Sequence, residues 1–195
     1  MPLKFSQIWT APNEITLLRL IFIPFVIMNV MGGDYRWAIT LFLLAGASDA
    51  LDGSLARLLK QKTVLGQYLD PIADKLLLSS CFLVLSFEHK IAWKFTVLVL
   101  SRDICIVAIS GALYATNALR DFRPSLYGKL NTAAQVLTIP IVMAREIYTQ
   151  SWLVEAKAIA LWTTFALTLV SGVHYILVTG QRLRDAQARG PSAAS

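Results

Sequence analysis

The stretch from Asp49 to Asp74 reads DALDGSLARLLKQKTVLGQYLDPIAD. Eight of its positions form a pattern, D-x-x-D-G-x-x-A-R, eight residues, G-x-x-x-D-x-x-x-D, carried by Asp49, Asp52, Gly53, Ala56, Arg57, Gly66, Asp70 and Asp74. The sequence on either side is apolar. An aspartate at membrane depth costs about 2.5 to 3.5 kcal/mol on insertion scales, and four crowded carboxylates repel one another unless cations intervene. Such a pattern exists to hold something positive.

Working outward, 56% of the chain is hydrophobic, 15% is charged and the mean hydropathy is +0.58, outside the range of an ordinary soluble domain. The composition predicts an all-α integral membrane protein. Runs of about twenty residues, enough to cross a hydrocarbon core, fall at Ile15 to Val30, Trp37 to Leu59, Leu65 to Phe87, Trp93 to Ala115, Leu126 to Ile147 and Val154 to Thr179. Six transmembrane helices are expected.

Basic residues orient the spans, because Lys and Arg stay on the cytoplasmic side. With both termini inside, ten cations lie on that side and five outside, leaving Arg19, Lys75 and Arg102 within spans as site candidates. The net charge of +6 follows from this bias and from anionic headgroups, and no basic run interleaved with aromatics points to nucleic acid. Residues 1–14 lack the pattern of a cleavable signal peptide, and Leu3, Phe5, Ile8 and Trp9 alternate with polar residues as in an interfacial amphipathic helix. One membrane domain is expected over 1–180, followed by a polar cytoplasmic tail, 181–195. Cys81 and Cys105 read as core packing, and His89 and His174 have no second ligand at helical spacing. His174 is expected to satisfy a polar contact between helices.

On a helix, residues three or four apart share a face, so Asp49 and Asp52 point together near the cytoplasmic end of the second span. Asp70 and Asp74 do the same near the start of the third, where Pro71 fits a first helical turn. The connection between the spans is short, which makes the two helices antiparallel neighbours with facing acids. Hard oxygen donors of this kind suit Mg²⁺, and enough are present for two ions, the arrangement that clamps the attacking and leaving oxygens of phosphoryl displacement. Arg57 supplies a fixed cation suited to a second phosphate. Gly53, Ala56 and Gly66 leave room beside it, so the constellation is a place for a diphosphate.

The eight-position pattern resembles the signature of the CDP-alcohol phosphotransferase family. The likeness extends from Asn13, Thr16 and Arg19 before the motif to Gly128, Lys129, Thr132 and Gln135 after it. The resemblance implies a six-helix membrane enzyme, commonly a homodimer, with a polar cavity open to the cytoplasm and lipid. The donor would be CDP-diacylglycerol, and CMP would leave. Asp49, Asp52 and Asp70 would ligate Mg²⁺ or Mn²⁺, and Asp74 would be a further ligand and the base. Gly53, Ala56, Arg57 and Gly66 would line the CDP pocket, with Asn13 and Thr16 near the nucleotide or metal shell.

The acceptor is expected to be a glycerol derivative, because Asp70-Pro71-Ile72-Ala73-Asp74-Lys75 resembles the version found in phosphatidylglycerophosphate synthases and CMP-forming cardiolipin synthases. Ser101-Arg102-Asp103 and Gly128-Lys129-Leu130-Asn131-Thr132 look more like the latter. Asn131 in place of a lysine removes one cation, which suits the phosphodiester of phosphatidylglycerol slightly better than glycerol 3-phosphate, although Arg123 is placed to restore that charge. Arg102, Arg123, Lys129 and Asn131 are the acceptor-side candidates. If bacterial, the protein belongs in the inner membrane with its active site facing the cytoplasm. A Mg²⁺ channel or carrier also puts acids in a helical bundle, yet it gives no reason for Gly53, Arg57 and Gly66.

Overall fold

The computed structural model describes residues 11–59, 64–115 and 126–188, with side chains at 19–48, 72–109, 111, 126–181 and 184. These residues form helices and no strand: α1 (Ala11–Met31), α2 (Tyr35–Leu59), α3 (Val64–Phe87), α4 (Trp93–Ala115), α5 (Leu126–Ile147) and α6 (Ser151–Ala188). The expected spans coincide with these helices to within a few residues at most ends. The N-terminal amphipathic segment, Arg123 and the last seven residues lie outside the described residues.

Two expectations change. The sequence suggests Pro71 in a first helical turn, but α3 begins at Val64, so the proline lies seven residues further along the helix. There it removes the N–H that the carbonyl of Gln67 would otherwise accept. The last helix runs past the expected end at Thr179 to Ala188, because Gln181, Arg182, Leu183, Arg184 and Ala186 are good helix formers that extend it beyond the apolar run.

Contacts divide the chain into two units, Met1–Ala92 with Ile139–Lys157, and Trp93–Thr138 with Ala158–Ser195. In the first, α1 packs against α2 and α3. Its core contains Val26 and Val30 of α1, Ala38 and Phe42 of α2, Leu77, Cys81, Phe82 and Leu85 of α3, and Ile139, Val142 and Met143 of α5. The α1–α2 turn is closed by Gly33, whose φ of 77° is open to glycine at no steric penalty. The amide of Asp34 donates to the Asn29 carbonyl at 2.8 Å across that turn, in the manner of a Schellman ending. At the end of α3 the amide of Lys90 donates to the Leu85 carbonyl at 2.8 Å, with His89 left-handed at φ 55°.

In the second unit, Phe95 of α4 meets Trp162 and Phe165 of α6 edge-on, with ring centroids 5.5 and 5.8 Å apart. Lys94 lies over the Trp162 ring at 4.7 Å. A polar seam joins α5 to α6, where Thr138 Oγ1 and Thr164 Oγ1 are 2.8 Å apart. Cys81 is buried as expected, whereas Cys105 is exposed on α4. In an apolar helix the outward face is apolar too, so a lone cysteine does not announce which side it takes.

Among the described residues one helix, Ser151–Gln181, is long and apolar enough to cross a membrane, with a mean hydropathy of 1.6, and Arg19–Met31 is a shorter apolar segment. The others carry charges within their length: Asp49, Asp52 and Arg57 in α2, Asp70, Asp74 and Lys75 in α3, Arg102 and Asp103 in α4, and Lys129 and Arg145 in α5.

Candidate active site

The backbone places Asp49 and Asp52, with Gly53, Ala56 and Arg57, in the last four turns of α2, and Gly66, Asp70 and Asp74 in the first three turns of α3. Both helices belong to the unit in which α1 packs on each of them. Asn13 and Thr16 lie in the first turns of α1. Of these residues, only Asp74 has a described side chain.

The Asp74 carboxylate is held by a residue of another helix. Arg19 Nη1 donates to Asp74 Oδ1 at 2.7 Å, tying α1 to α3 across 55 residues of sequence. The two ends of this bond sit in different surroundings, since the Arg19 side chain is 2% exposed and that of Asp74 is 47% exposed. A guanidinium so deeply enclosed is held by its ion pair, and it holds the carboxylate in return. Arg19 Nε is buried without a hydrogen-bond partner among the described residues. The signal in the sequence was the cation inside a span, although nothing there said which acid it would meet.

The donor set fits a hard divalent ion. Four carboxylates, spaced i, i+3 in α2 and i, i+4 in α3, are the oxygen ligands such ions take, and Asp74 keeps nearly half of its surface open. Among the described residues no group of three or more His, Cys, Asp or Glu side chains stands close enough to hold a metal. The side chains of Asp49, Asp52 and Asp70 lie outside those residues.

The acceptor-side candidates separate within the second unit. Arg102 Nη1 donates to Asp103 Oδ1 at 2.6 Å and Nη2 to Ser171 Oγ at 2.5 Å, so its charge is offset by its own neighbour and its fork is turned to α6. A Cβ at Gly172 would meet Arg102 Cγ at 3.7 Å, ordinary contact distance, so this approach does not depend on glycine there. Asn131 is fully buried on α5, and its Oδ1 accepts from Thr168 Oγ1 of α6 at 2.8 Å. Gln135, one turn on, is 2% exposed.

Lys129 lies elsewhere on α5. It is exposed and borders a groove of about 610 Å³ with Gly128, Thr132, Ala133, Val136 and Leu137. Arg102 and Asn131 thus share α6 as a partner, and Lys129 does not join them. Thr168 and Ser171 carry no signal in the sequence, because hydroxyls in an apolar helix have no distinguishing pattern, yet both are buried at these contacts. His174 rests against the Tyr127 ring of α5 with centroids 4.8 Å apart, but its Nδ1 is buried without a hydrogen-bond partner among the described residues, so the contact is one of rings and not the polar one expected.

The described residues are helical, and α2 and α3 carry the four aspartates of the motif along their length. Residues 9–170 match the family described as CDP-alcohol phosphatidyltransferase. The chain is similar to a cardiolipin synthase (CMP-forming) of Homo sapiens, 28% identical over 205 residues that cover 94% of this chain and 67% of that protein. It is 29% identical to the Rattus norvegicus counterpart, covering 88% of this chain and 63% of the relative. It is 33% identical to the CDP-diacylglycerol–glycerol-3-phosphate 3-phosphatidyltransferase of Haemophilus influenzae, covering 91% of this chain and 97% of the relative. The chain therefore spans about two thirds of the mammalian relatives' length and nearly all of the bacterial one's. It belongs to the CDP-alcohol phosphatidyltransferase family, a class of membrane transferases.

Proposed function

We propose that this protein is a CDP-diacylglycerol-dependent phosphatidyltransferase of phospholipid biosynthesis. It transfers the phosphatidyl group to a glycerol-type acceptor and releases CMP, with phosphatidylglycerol slightly favoured over glycerol 3-phosphate as that acceptor. The observation that carries the reading is the complete eight-position motif on α2 and α3 with Asp74 oriented by the enclosed Arg19. Names of both acceptor types among the relatives keep glycerol 3-phosphate as the second reading.

Asp49, Asp52, Asp70 and Asp74 are the residues that would hold Mg²⁺ or Mn²⁺, two ions in number. When bound, the metal neutralises the diphosphate and stabilises the departing CMP. Arg57 binds a phosphate of the donor, and Gly53, Ala56 and Gly66 admit the nucleotide without side chains in its way, beside Asn13 and Thr16. Asp74, aimed by Arg19, accepts the proton of the acceptor hydroxyl as that oxygen attacks the β-phosphate. The P–O bond to CMP breaks as the new one forms, and the proton stays on the carboxylate until exchanged with water.

On the acceptor side, Lys129 is an exposed cation at an apolar groove. A cation beside Ala133, Val136 and Leu137 matches a phosphate that carries acyl chains better than a small water-soluble one, which favours phosphatidylglycerol. Arg102 with Asp103, Asn131 with Thr168, and Arg123 complete the acceptor-side set.

Six membrane spans, cytoplasmic termini and a homodimer are part of the same proposal. They are supported by six helices of about membrane-spanning length and by large apolar side chains left outside, such as Met28, Ile104 and Leu126, each at least 66% exposed. The deciding experiment supplies labelled CDP-diacylglycerol with phosphatidylglycerol, glycerol 3-phosphate or inositol in turn, and identifies the lipid product. CMP release dependent on Mg²⁺ or Mn²⁺, with cardiolipin as product, is expected. Metal flux without turnover would overturn the enzymatic reading in favour of a channel or carrier.

A further inference from the structure

The end of the first unit farthest along α2 from the aspartates carries a second groove, of about 630 Å³. Its walls come from the first turns of α2, the last turns of α5 and the first turns of α6, and include Arg36, Ile39, Ile141, Ala144, Tyr148 and Trp152. Arg36 precedes Asp52 by 16 residues in one continuous helix, about 24 Å of rise. No residue assigned to the reaction lines this groove.

Its lining is apolar apart from Arg36, Thr40 and the polar ends of Tyr148 and Trp152. Thr40 spends its hydroxyl on the Arg36 carbonyl at 2.9 Å. Glu146, an acid at this end, is engaged by Lys90 at 2.8 Å and Lys157 at 3.3 Å. Arg36 is exposed, and its guanidinium has no hydrogen-bond or ion-pair partner among the described residues. Arg145 adds a second cation beside the groove, donating to the Tyr148 carbonyl at 3.3 Å. Tyr148 and Trp152 are 51% and 62% exposed, as side chains of an interfacial aromatic belt are.

We infer that this groove binds an anionic phospholipid of the leaflet opposite the aspartates. The lipid phosphate takes the fork of Arg36, a geometry that a guanidinium meets with two parallel hydrogen bonds. One acyl chain lies along Ile39, Ile141 and Ala144, and Tyr148 and Trp152 stand at the level of the headgroup. An unpaired cation above an apolar trough is complementary to an amphiphile with one negative head and a hydrocarbon tail. A second copy of the chain fits less well, because a two-fold contact through this face presents the same patch from both sides and brings the two Arg36 cations together. The inference rests on the membrane-embedded reading but not on the choice of acceptor.

The test titrates the purified full chain in neutral detergent with phosphatidylserine and, separately, with phosphatidylcholine of the same acyl chains. Neither lipid is donor or acceptor in the proposed reaction. Lipid retention is read by native mass spectrometry and thermal unfolding by fluorescence. Phosphatidylserine is expected to bind at least tenfold more tightly and to raise the unfolding midpoint. Arg36→Ala should remove that preference, Arg36→Lys should keep part of it, and Ala144→Trp should weaken retention of both lipids. CMP release by Arg36→Ala in phosphatidylcholine micelles should match the unaltered protein. Equal affinity for the two lipids, or undiminished phosphatidylserine binding by Arg36→Ala, would overturn the site. So would a fall in oligomeric state on Ala144→Trp, which would make the groove a contact between copies. If Ala144→Trp does not fold, Arg36→Ala decides alone. Loss of CMP release under every condition with the lipid preference intact would count against the enzymatic reading and leave the groove standing.

Discussion

A guanidinium held 2.7 Å from a half-exposed carboxylate fixes where that carboxylate points, and Arg19 does this for Asp74. Arg19→Ala is therefore expected to act on turnover as well as on stability. Removing one partner of a fully buried pair costs about 3 to 5 kcal/mol. With Asp74 47% exposed, water compensates part of that loss, and about 2 kcal/mol is expected. CMP release should fall at least tenfold, with Arg19→Lys recovering part of it, and an unaltered rate would remove Arg19 from the site. Asp74→Asn keeps the size of the side chain and abolishes its ability to take a proton. It should stop turnover while leaving CDP-lipid binding largely intact, measured by retention of labelled donor; equal loss of both would reject Asp74 as the base. The aspartates could be read from the sequence because helical spacing is local. Arg19 as partner to Asp74 could not, since 55 residues separate them.

At the scale of elements, α5 and α6 are joined by hydroxyl and amide groups instead of by apolar side chains alone. Thr168 Oγ1 bonds both to Asn131 Oδ1 and to the Thr164 carbonyl, at 2.8 and 2.7 Å. Such interhelical bonds contribute about 0.6 kcal/mol on average in membrane proteins. A double-mutant cycle of Asn131→Ala and Thr168→Val, followed by thermal unfolding, should return a coupling of that order; additivity of the two would show the bond to be incidental.

The turn after α3 and the last turn of α5 meet through Lys90 and Glu146, 2.8 Å apart. The hydrogen bond that Lys90 donates to the Glu146 carboxylate is the largest cause that pushes the Lys90 ammonium above its ordinary value of 10.5, partly opposed by burial. A group whose folded value is raised stabilises the fold at all pH below its unfolded value and loses that contribution as pH rises through the folded one. Lys90→Met should accordingly lower the unfolding midpoint slightly at neutral pH. The gap from the unaltered protein should close above the ordinary lysine value, and a gap that persists there would show that packing, not charge, is responsible. Helix positions were legible because apolar runs and their interruptions are properties of contiguous sequence. The extension of α6 to Ala188 was not, since polarity ended the apolar run before helix propensity ended the helix.

For the whole molecule, the prediction concerns its dependence on divalent ions. Chelation should abolish CMP release and restored Mg²⁺ or Mn²⁺ should recover it, whereas Ca²⁺, with its looser coordination, should recover it poorly. Full activity after exhaustive chelation would separate the acid cluster from the chemistry. The two compact units draw residues from both α5 and α6, so the candidate groups are distributed over the chain: the acids in α2 and α3, the acceptor-side groups in α4 and α5.

What the sequence by itself determined was the helical class, the extent of most helices and the acidic motif with its family. Each of these rests on spacing along the chain, which apolar runs and a 3.6-residue period set locally. The tertiary structure alone decided that Asp74 takes Arg19, that Arg102 turns to Asp103 and Ser171, that Asn131 closes on Thr168 while Lys129 stays outside, and that Cys105 is exposed. In a chain whose inward and outward faces are both apolar, hydrophobic pattern does not say which side is the core. That choice is made by which polar groups find partners across helices, and only the packed fold brings those partners within reach.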